Sequence, residues 1–521
     1  MLYLTRRRLI VAGGLSAAAA VLAACGGGAA SPTTAPANPT AAPKPTSAPA
    51  ATAAPAAATE PAAGATTAAA PTGAATSAAA TTPAAGAAAT KPAAVAPTTA
   101  PAAQAAPTAA PKYSAGGSAS KDVVFWHVLT GPQADGMTKI VNDYNAKATS
   151  AKIAPEYAGN YTQLYQKAMA TIAGGGLPDM AVAYETMVAD YMKANVVVAL
   201  DDYVNAPGTG LTKAEIDDFY PSLLNRNKFP QFGGKLLSFP FTASNLMAYA
   251  NTDLLKKAGV EQYPATWDDF EAAGKAVKDK LSVVLHGISI DTSYLNGYIF
   301  SRGGKVWDDA KMQSFYDQKP TVDQFDLFAR MVKDGTAIEL KPNSFDDQND
   351  FANEKMAILI RSSTTRAFLD PLVKDKFKWG MFTIPQAKDN KDKGTVLFGA
   401  NIAVFKSNAD KQQAAWNFIK YFSSPEVTSD WATLSGYMPV RKAGAEAEPY
   451  RSFVAKNPGV NGAALDNLPY SFPEPNVVGW QDVRPVVETA YEAAISGKTP
   501  PAQAAKKLKD DVDKLIKEKN S

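Results

Sequence analysis

From residue 121 onward two hydrophobic periods alternate along the chain. Asp122-Val123-Val124-Phe125-Trp126-His127 is a short apolar run suited to a buried strand. Gly131 to Ala146 has a helical period, with Met137, Ile140, Val141 and Tyr144 at i, i+3, i+4 and i+7. Ile153-Ala154-Pro155-Glu156-Tyr157 predicts the next strand, and Tyr161 to Ala173 a helix closed by Gly174-Gly175-Gly176. Asp179-Met180-Ala181-Val182-Ala183-Tyr184 predicts a third strand. This alternation implies parallel strands joined by right-handed crossovers, an α/β fold. Ligands of such sheets gather beyond the carboxyl ends of the strands, where His127, Tyr161 and Glu185 fall.

Later segments repeat the theme. Leu236 to Pro240, Asn245 to Asn251, Met356 to Arg361 and Val396 to Phe405 are expected strands, and Trp267 to Lys278 a helix. In the helix at Gln412 to Phe422, residues Ala415, Phe418, Ile419 and Phe422 form one apolar face. Pro501 to Lys517 is amphipathic, with Ala504, Leu508, Val512 and Leu515 near one side. The patterned region, 121–521, is about 400 residues, more than one core usually organises, so two lobes are expected.

Ahead of it the pattern disappears. Residues 26–120 are almost entirely Ala, Pro, Thr, Gly and Ser, which bury too little to offset the entropy of ordering and predict a semi-rigid spacer. The first residues read as an export signal over 1–24: Arg6-Arg7-Arg8, an apolar run from Leu9 to Ala24, then Leu22-Ala23-Ala24-Cys25-Gly26. The last group resembles a lipobox, making Cys25 the expected lipidation site and the membrane a partner through a lipid anchor. Twin-arginine export and ordinary secretion both fit the basic start.

Composition removes several function classes. Cys25 is the only cysteine, so the folded region has neither disulfide nor thiolate metal site, and two histidines, His127 and His286, cannot form a His-rich metal centre. Net charge is +3 with no basic stripe, which argues against nucleic acid. No cofactor is implied.

A group of short motifs carries a resemblance. Phe125-Trp126-His127, Tyr157-Ala158-Gly159-Asn160-Tyr161, Gly176-Leu177-Pro178-Asp179 with Tyr184-Glu185, and Pro240-Phe241 with Ser244 and Tyr249 come first. Ala357-Ile358 before Ser362-Ser363, Phe398-Gly399-Ala400-Asn401, Ser435-Gly436-Tyr437-Met438-Pro439 and Gly497-Lys498-Thr499-Pro500 follow. In this order the folded region resembles, over its whole length, the extracellular solute-binding proteins of ABC importers, in the sugar and glycerol-3-phosphate group. The resemblance implies a two-lobed periplasmic-binding-protein fold of type II. Lobe 1 would span about 121–240 and 385–436, and lobe 2 about 241–384 and 437–521, joined by hinge strands. It also implies a monomer without catalytic residues that captures a small solute and hands it to membrane permease subunits.

The positions matching the glycerol-3-phosphate binders are Tyr161, Glu185, Ser244, Ser362 or Ser363, Gly399, Tyr437 and Arg484. Glu185 would accept hydroxyl hydrogen bonds, Arg484 and Ser244 would donate to phosphate oxygens, and Gly399 would let a backbone amide approach. Plainer readings stand beside these. Glu185 could cap a helix, Arg484 could form a local salt bridge, Tyr437 could be a turn residue and Ser244 could bond to the backbone. His127, Asp291 and Tyr294 are secondary candidates, His127 reading more readily as a structural strand end. Asp291 and Tyr294 stand where the glycerophosphate binders carry a tryptophan-rich segment, a departure that suits a neutral sugar. The expected solute is a sugar or a phosphorylated polyol such as glycerol 3-phosphate or a glycerophosphodiester, the matched positions leaning slightly to the phosphorylated polyol. Arg361 could add charge to the cleft or pair with an exposed carboxylate. The rival classes are a surface sensor or adhesion lipoprotein and a secreted carbohydrate-active enzyme. The sequence shows neither facing carboxylates nor a G-x-S-x-G elbow, and Glu492 replaces the first glycine of a phosphate loop ending Gly497-Lys498-Thr499.

Overall fold

The computed structural model describes residues 121–149, 151–341 and 344–521. The expected signal segment 1–24, Cys25 and the linker 25–120 lie outside the described residues. Strand β1 (Val123–His127), helix α1 (Gly131–Lys147), strand β2 (Ile153–Tyr157), helix α2 (Tyr161–Ile172), strand β3 (Met180–Ala183) and helix α3 (Glu185–Lys193) follow in order. β1 pairs in parallel with both β2 and β3, as the alternation requires. Strand β4 (Phe239–Pro240) and a strand from much later in the chain complete this five-stranded sheet.

The second sheet is built on one long strand, β5 (Ser244–Asn251). Helix α4 (Trp267–Leu281), strand β6 (Val284–Ile288), helix α5 (Thr292–Ser301), helix α6 (Lys319–Lys333), strand β7 (Ala337–Glu339), strand β8 (Met356–Ser362) and strand β9 (Trp379–Thr383) surround it. Strand β10 (Thr395–Phe398) joins this sheet, and strand β11 (Asn401–Val404) joins the first. The second sheet runs β7-β6-β8-β5-β10-β12, with β12 (Ser471–Phe472) at one edge and β9 also paired to β5. Side chains on a strand alternate between faces, so β5 serves two cores. Leu246, Ala248 and Ala250 pack with Trp267, Phe270 and Phe328. Met247 and Tyr249 pack with the cluster that also holds Phe125, Trp416 and Phe422.

Helix α7 (Ala409–Phe422) buries the expected face, and helix α8 (Pro425–Ser435) follows it. Helices α9 (Trp480–Ile495) and α10 (Pro501–Asn520) pack on the second sheet's core. In α10 the buried stripe is Ala504, Ala505, Leu508, Val512 and Ile516. Leu515, expected there, is half-buried because 512 to 516 keeps the one-turn spacing.

Two expectations need correcting. Val396 to Phe405 is not one strand: it breaks at Gly399, whose φ is +93°, and its halves enter different sheets. The lobe boundaries move accordingly. Residues up to Phe398 stay with the second sheet rather than leaving it at 385. Beyond 436 the chain keeps to the first lobe for a while: Met438 bridges Ala243, and Arg441 Nε donates to Asp218 Oδ2 at 2.7 Å. The chain then reaches the second sheet, where Asn245 Nδ2 donates to the Ala464 carbonyl at 2.9 Å. Packing against neighbours distant in sequence decides these boundaries, and no local composition marks them.

Candidate functional site

On the first lobe the site begins with a turn that only glycine fits. Gly159 has φ +85°, and a Cβ there would lie 2.3 Å from Gln163 Oε1. That oxygen is engaged in a capping box: Asn160 N donates to Gln163 Oε1 at 2.9 Å, and Gln163 N to Asn160 Oδ1 at 2.9 Å. Tyr161 is thereby fixed as the first residue of α2. Its ring lies 4.4 Å from that of Tyr184, and burial, with the neighbouring phenols of Tyr437 and Tyr184, pushes its own phenol well up. Tyr437 stacks on Trp431 at 5.5 Å, is 8% exposed, and burial pushes its phenol up to about 12. These phenols are neutral donors at any physiological pH.

Below the tyrosines lie Glu185 and two of the segments that cross between lobes, 240–244 and 398–401. Glu185 is the first residue of α3, where the helix dipole favours an anion. It is 2% exposed, and Asn401 Nδ2 donates to its Oε2 at 3.1 Å. Burial raises its pKa, and the charge of Arg226 opposes that shift. Arg226 is itself buried: it donates to the carbonyls of Gly399 at 2.6 Å, Thr242 at 3.3 Å and Phe398 at 3.3 Å. Both crossing segments are thus gathered on one guanidinium. Thr242 N also donates to the Ala400 carbonyl at 3.0 Å. At Gly399 a Cβ would lie 2.6 Å from Ala243 Cα, so the close approach of the segments excludes any side chain.

The second-lobe wall centres on Arg484 of α9. Its Nη2 donates to Asp291 Oδ2 at 2.9 Å, and its Nη1 to Ser293 Oγ at 2.9 Å and Glu474 Oε2 at 3.3 Å. Glu488 stands 3.9 Å away. Glu474 also accepts from Ser293 Oγ at 2.9 Å and Asn296 Nδ2 at 2.8 Å. Asp291 caps α5, accepting from Ser293 N at 2.8 Å and Tyr294 N at 3.1 Å. Arg484 therefore stays firmly protonated, held by these carboxylates against the opposing effect of burial. Burial pushes the Tyr184 phenol up, and the charge of Arg484 on the second-lobe wall opposes that shift.

The remaining candidates divide. Ser244 opens β5 opposite Phe398, and Ser363 Oγ accepts from the neighbouring Asn245 N at 3.4 Å. Ser362 caps a short turn, its Oγ accepting from Thr364 N at 3.3 Å. The Tyr294 ring lies 5.8 Å from that of Phe398, and the Arg361 guanidinium stands 6.0 Å from its centroid. Arg361 pairs with a buried carboxylate, not an exposed one: Nε to Asp347 Oδ2 and Nη2 to Asp347 Oδ1, both 2.7 Å. His127 stands apart from the cluster, its Nδ1 accepting from Leu129 N at 3.2 Å and its ring against Phe125 and Tyr157.

Tyr184, Arg226, Asn401, Ser293 and Glu474 were missed as site residues. Glu474 carried a faint signal, a lone acid between Pro473 and Pro475, whereas Arg226 had none, because its partners are carbonyls up to 173 residues away. A cavity of about 750 Å³ adjoins the cluster, lined from the first lobe by Glu185, Asn225 and Arg226 and from the second by Phe300, Trp307 and Glu474.

The profile of the family described as bacterial extracellular solute-binding protein matches residues 139–460. The sn-glycerol-3-phosphate-binding periplasmic protein UgpB of Escherichia coli is 27% identical over 403 residues, covering 73% of this chain and 89% of its own. The GacH receptor of Streptomyces glaucescens, solved unliganded and with acarbose, matches with a TM-score of 0.68 at 20% identity, over 77% of this chain and 99% of that one. UgpB of Mycobacterium tuberculosis in complex with glycerophosphocholine also gives 0.68 at 20% identity, over 77% and 100% of the two chains. All are binding proteins rather than enzymes, and the solved structures share a two-lobed α/β architecture of the periplasmic-binding-protein type.

Proposed function

The chain belongs to the bacterial extracellular solute-binding proteins, and we propose that it captures a neutral, polyhydroxylated solute of the sugar class between its lobes. One observation carries this reading: the guanidinium of Arg484 is already held by Asp291 and Glu474, with Glu488 beside them. A phosphate dianion would have to displace those carboxylates and remain next to them, a like-charge arrangement costing several kcal/mol in a partly desolvated cleft. A sugar meets no such conflict. Its hydroxyls can donate to Glu185 and Asp291, and its ring faces can lie against Tyr161, Tyr184 and Tyr437.

A phosphorylated polyol is the second reading, favoured by the likeness to the E. coli glycerol-3-phosphate binder. It requires Arg484 to exchange Asp291 for phosphate oxygens. The delivery route is that of an ABC importer, with the loaded, closed form docking on permease subunits. Cys25 would tether the protein to the membrane by a thioether-linked lipid, with residues 26–120 as the spacer. Among the described residues no helix is long and apolar enough to span a membrane, so the tether rests on the sequence alone.

A thermal-shift panel of mono- and oligosaccharides, polyols, glycerol 3-phosphate and glycerophosphodiesters tests the reading, because a bound solute stabilises the folded state by mass action. Stabilisation by neutral sugars supports it, and a response confined to phosphate esters overturns it. Replacing Cys25 with Ala should release the protein from membranes; continued membrane association would remove the tether.

A further inference from the structure

We propose that Asp190 is a latch between the lobes: a first-lobe carboxylate that caps helix α9 of the second lobe, positions Arg484 and favours the closed arrangement. The N-cap residue of α9 is Gly479, with φ +88°, so the helix has no capping side chain of its own. Instead Asp190 Oδ1 accepts from Gly479 N at 2.8 Å, while its Oδ2 accepts from the Tyr165 hydroxyl at 2.9 Å. Asp190 is 7% exposed, and its two bonds leave the carboxylate little freedom.

The two partners belong to different bodies. Helix α3 packs through Met187, Val188 and Tyr191 into the first core, and α9 through Trp480, Val483 and Val487 into the second. Contacts on either side of the cap join α3 to the same second-lobe body, one through α9 and one through α10. Gln481 Nε2 donates to Thr186 Oγ1, and Lys193 Nζ donates to the Lys519 carbonyl at the end of α10. The charged groups facing the cap, Asp482 and Lys519, neutralise each other at 2.6 Å. An anion at a helix N-terminus is favourable and short-ranged, so this contact acts only when the lobes are close. Arg484 lies little more than one turn along α9 from Gly479, so a displaced cap moves the residue on which solute choice depends. A side chain at 479 could not take over the cap, because a Cβ there would lie 2.8 Å from Lys519 Cγ.

The latch rests on the reading that the lobes close on a solute, and its test separates the two. With Cys25 replaced by Ser, spin labels on Asp202→Cys and Lys275→Cys, exposed positions on the two lobes, report the interlobe distance without any solute. Asp190→Ala should shift the solute-free distances longer and weaken binding of the best-stabilising sugar by about fivefold, the usual effect of deleting a cap. Asp190→Asn keeps an acceptor for Gly479 N and should stay close to the unaltered protein. Gln481→Ala removes the neighbouring link from α9 without touching a buried charge, and should open the lobes in the same direction. Distances unchanged in Asp190→Ala and Gln481→Ala overturn the latch, as does an Asn variant as open as the Ala variant. If the unaltered chain binds no solute, the function reading fails while the solute-free distances still judge the latch.

Discussion

Glu185 is kept in an environment that resists its charge. Burial raises its pKa, so a proton competes for the same oxygen that a solute hydroxyl would use. A hydroxyl donates a stronger, charge-assisted hydrogen bond to the ionised form, so bound solute lowers the Glu185 pKa and binding releases the proton of any protonated fraction. Affinity should therefore fall as pH is lowered through the raised Glu185 value and level off above it. Titration calorimetry across pH 4 to 8 checks the slope, and in Glu185→Gln it should flatten. Glu185→Ala should cost at least tenfold in affinity, about 1.4 kcal/mol, with the fold retained. Asp291 offers the sharper test. Asn caps helices as well as Asp does, so Asp291→Asn should keep α5 while withdrawing one carboxylate from Arg484. Glycerol 3-phosphate should then gain at least tenfold relative to neutral sugars; unchanged selectivity would show that Arg484 does not decide the ligand class.

At the scale of elements, the crossing segments matter most. Gly399 has a left-handed backbone and no room for a Cβ. Gly399→Ala should lower unfolding stability by about 1–3 kcal/mol, read from denaturant midpoints, and should weaken solute binding as the segments are pushed apart. This junction also shows where a sequence reading stops. Val396 to Phe405 is apolar on both sides of the glycine, because each half is buried in its own sheet, so hydrophobicity alone joins two strands into one. The parallel trio β1, β2 and β3 was legible because its period switches within short distances. The positions of Tyr161 and Glu185 at the first turns of the following helices were legible with it, since strand ends mark the candidate ligand loops in such sheets. The Arg484–Asp291 pair spans 193 residues, and no local spacing can announce it. Its replacement of an aromatic segment was visible, but not the charge balance it creates.

For the whole molecule, the proposed function means that two bodies move about the segments at 240–244 and 398–401 and meet across Tyr184, Arg484 and the Asp190 contact. A solute touching both walls shifts the population toward closure by its differential affinity for that state, and by no more than that. The interlobe distance between labels at 202 and 275, taken with and without the sugar that most raises the melting temperature, tests this most directly. A shorter and narrower distribution at saturation is the expected result. Distributions that coincide with and without a demonstrably bound sugar would contradict the account.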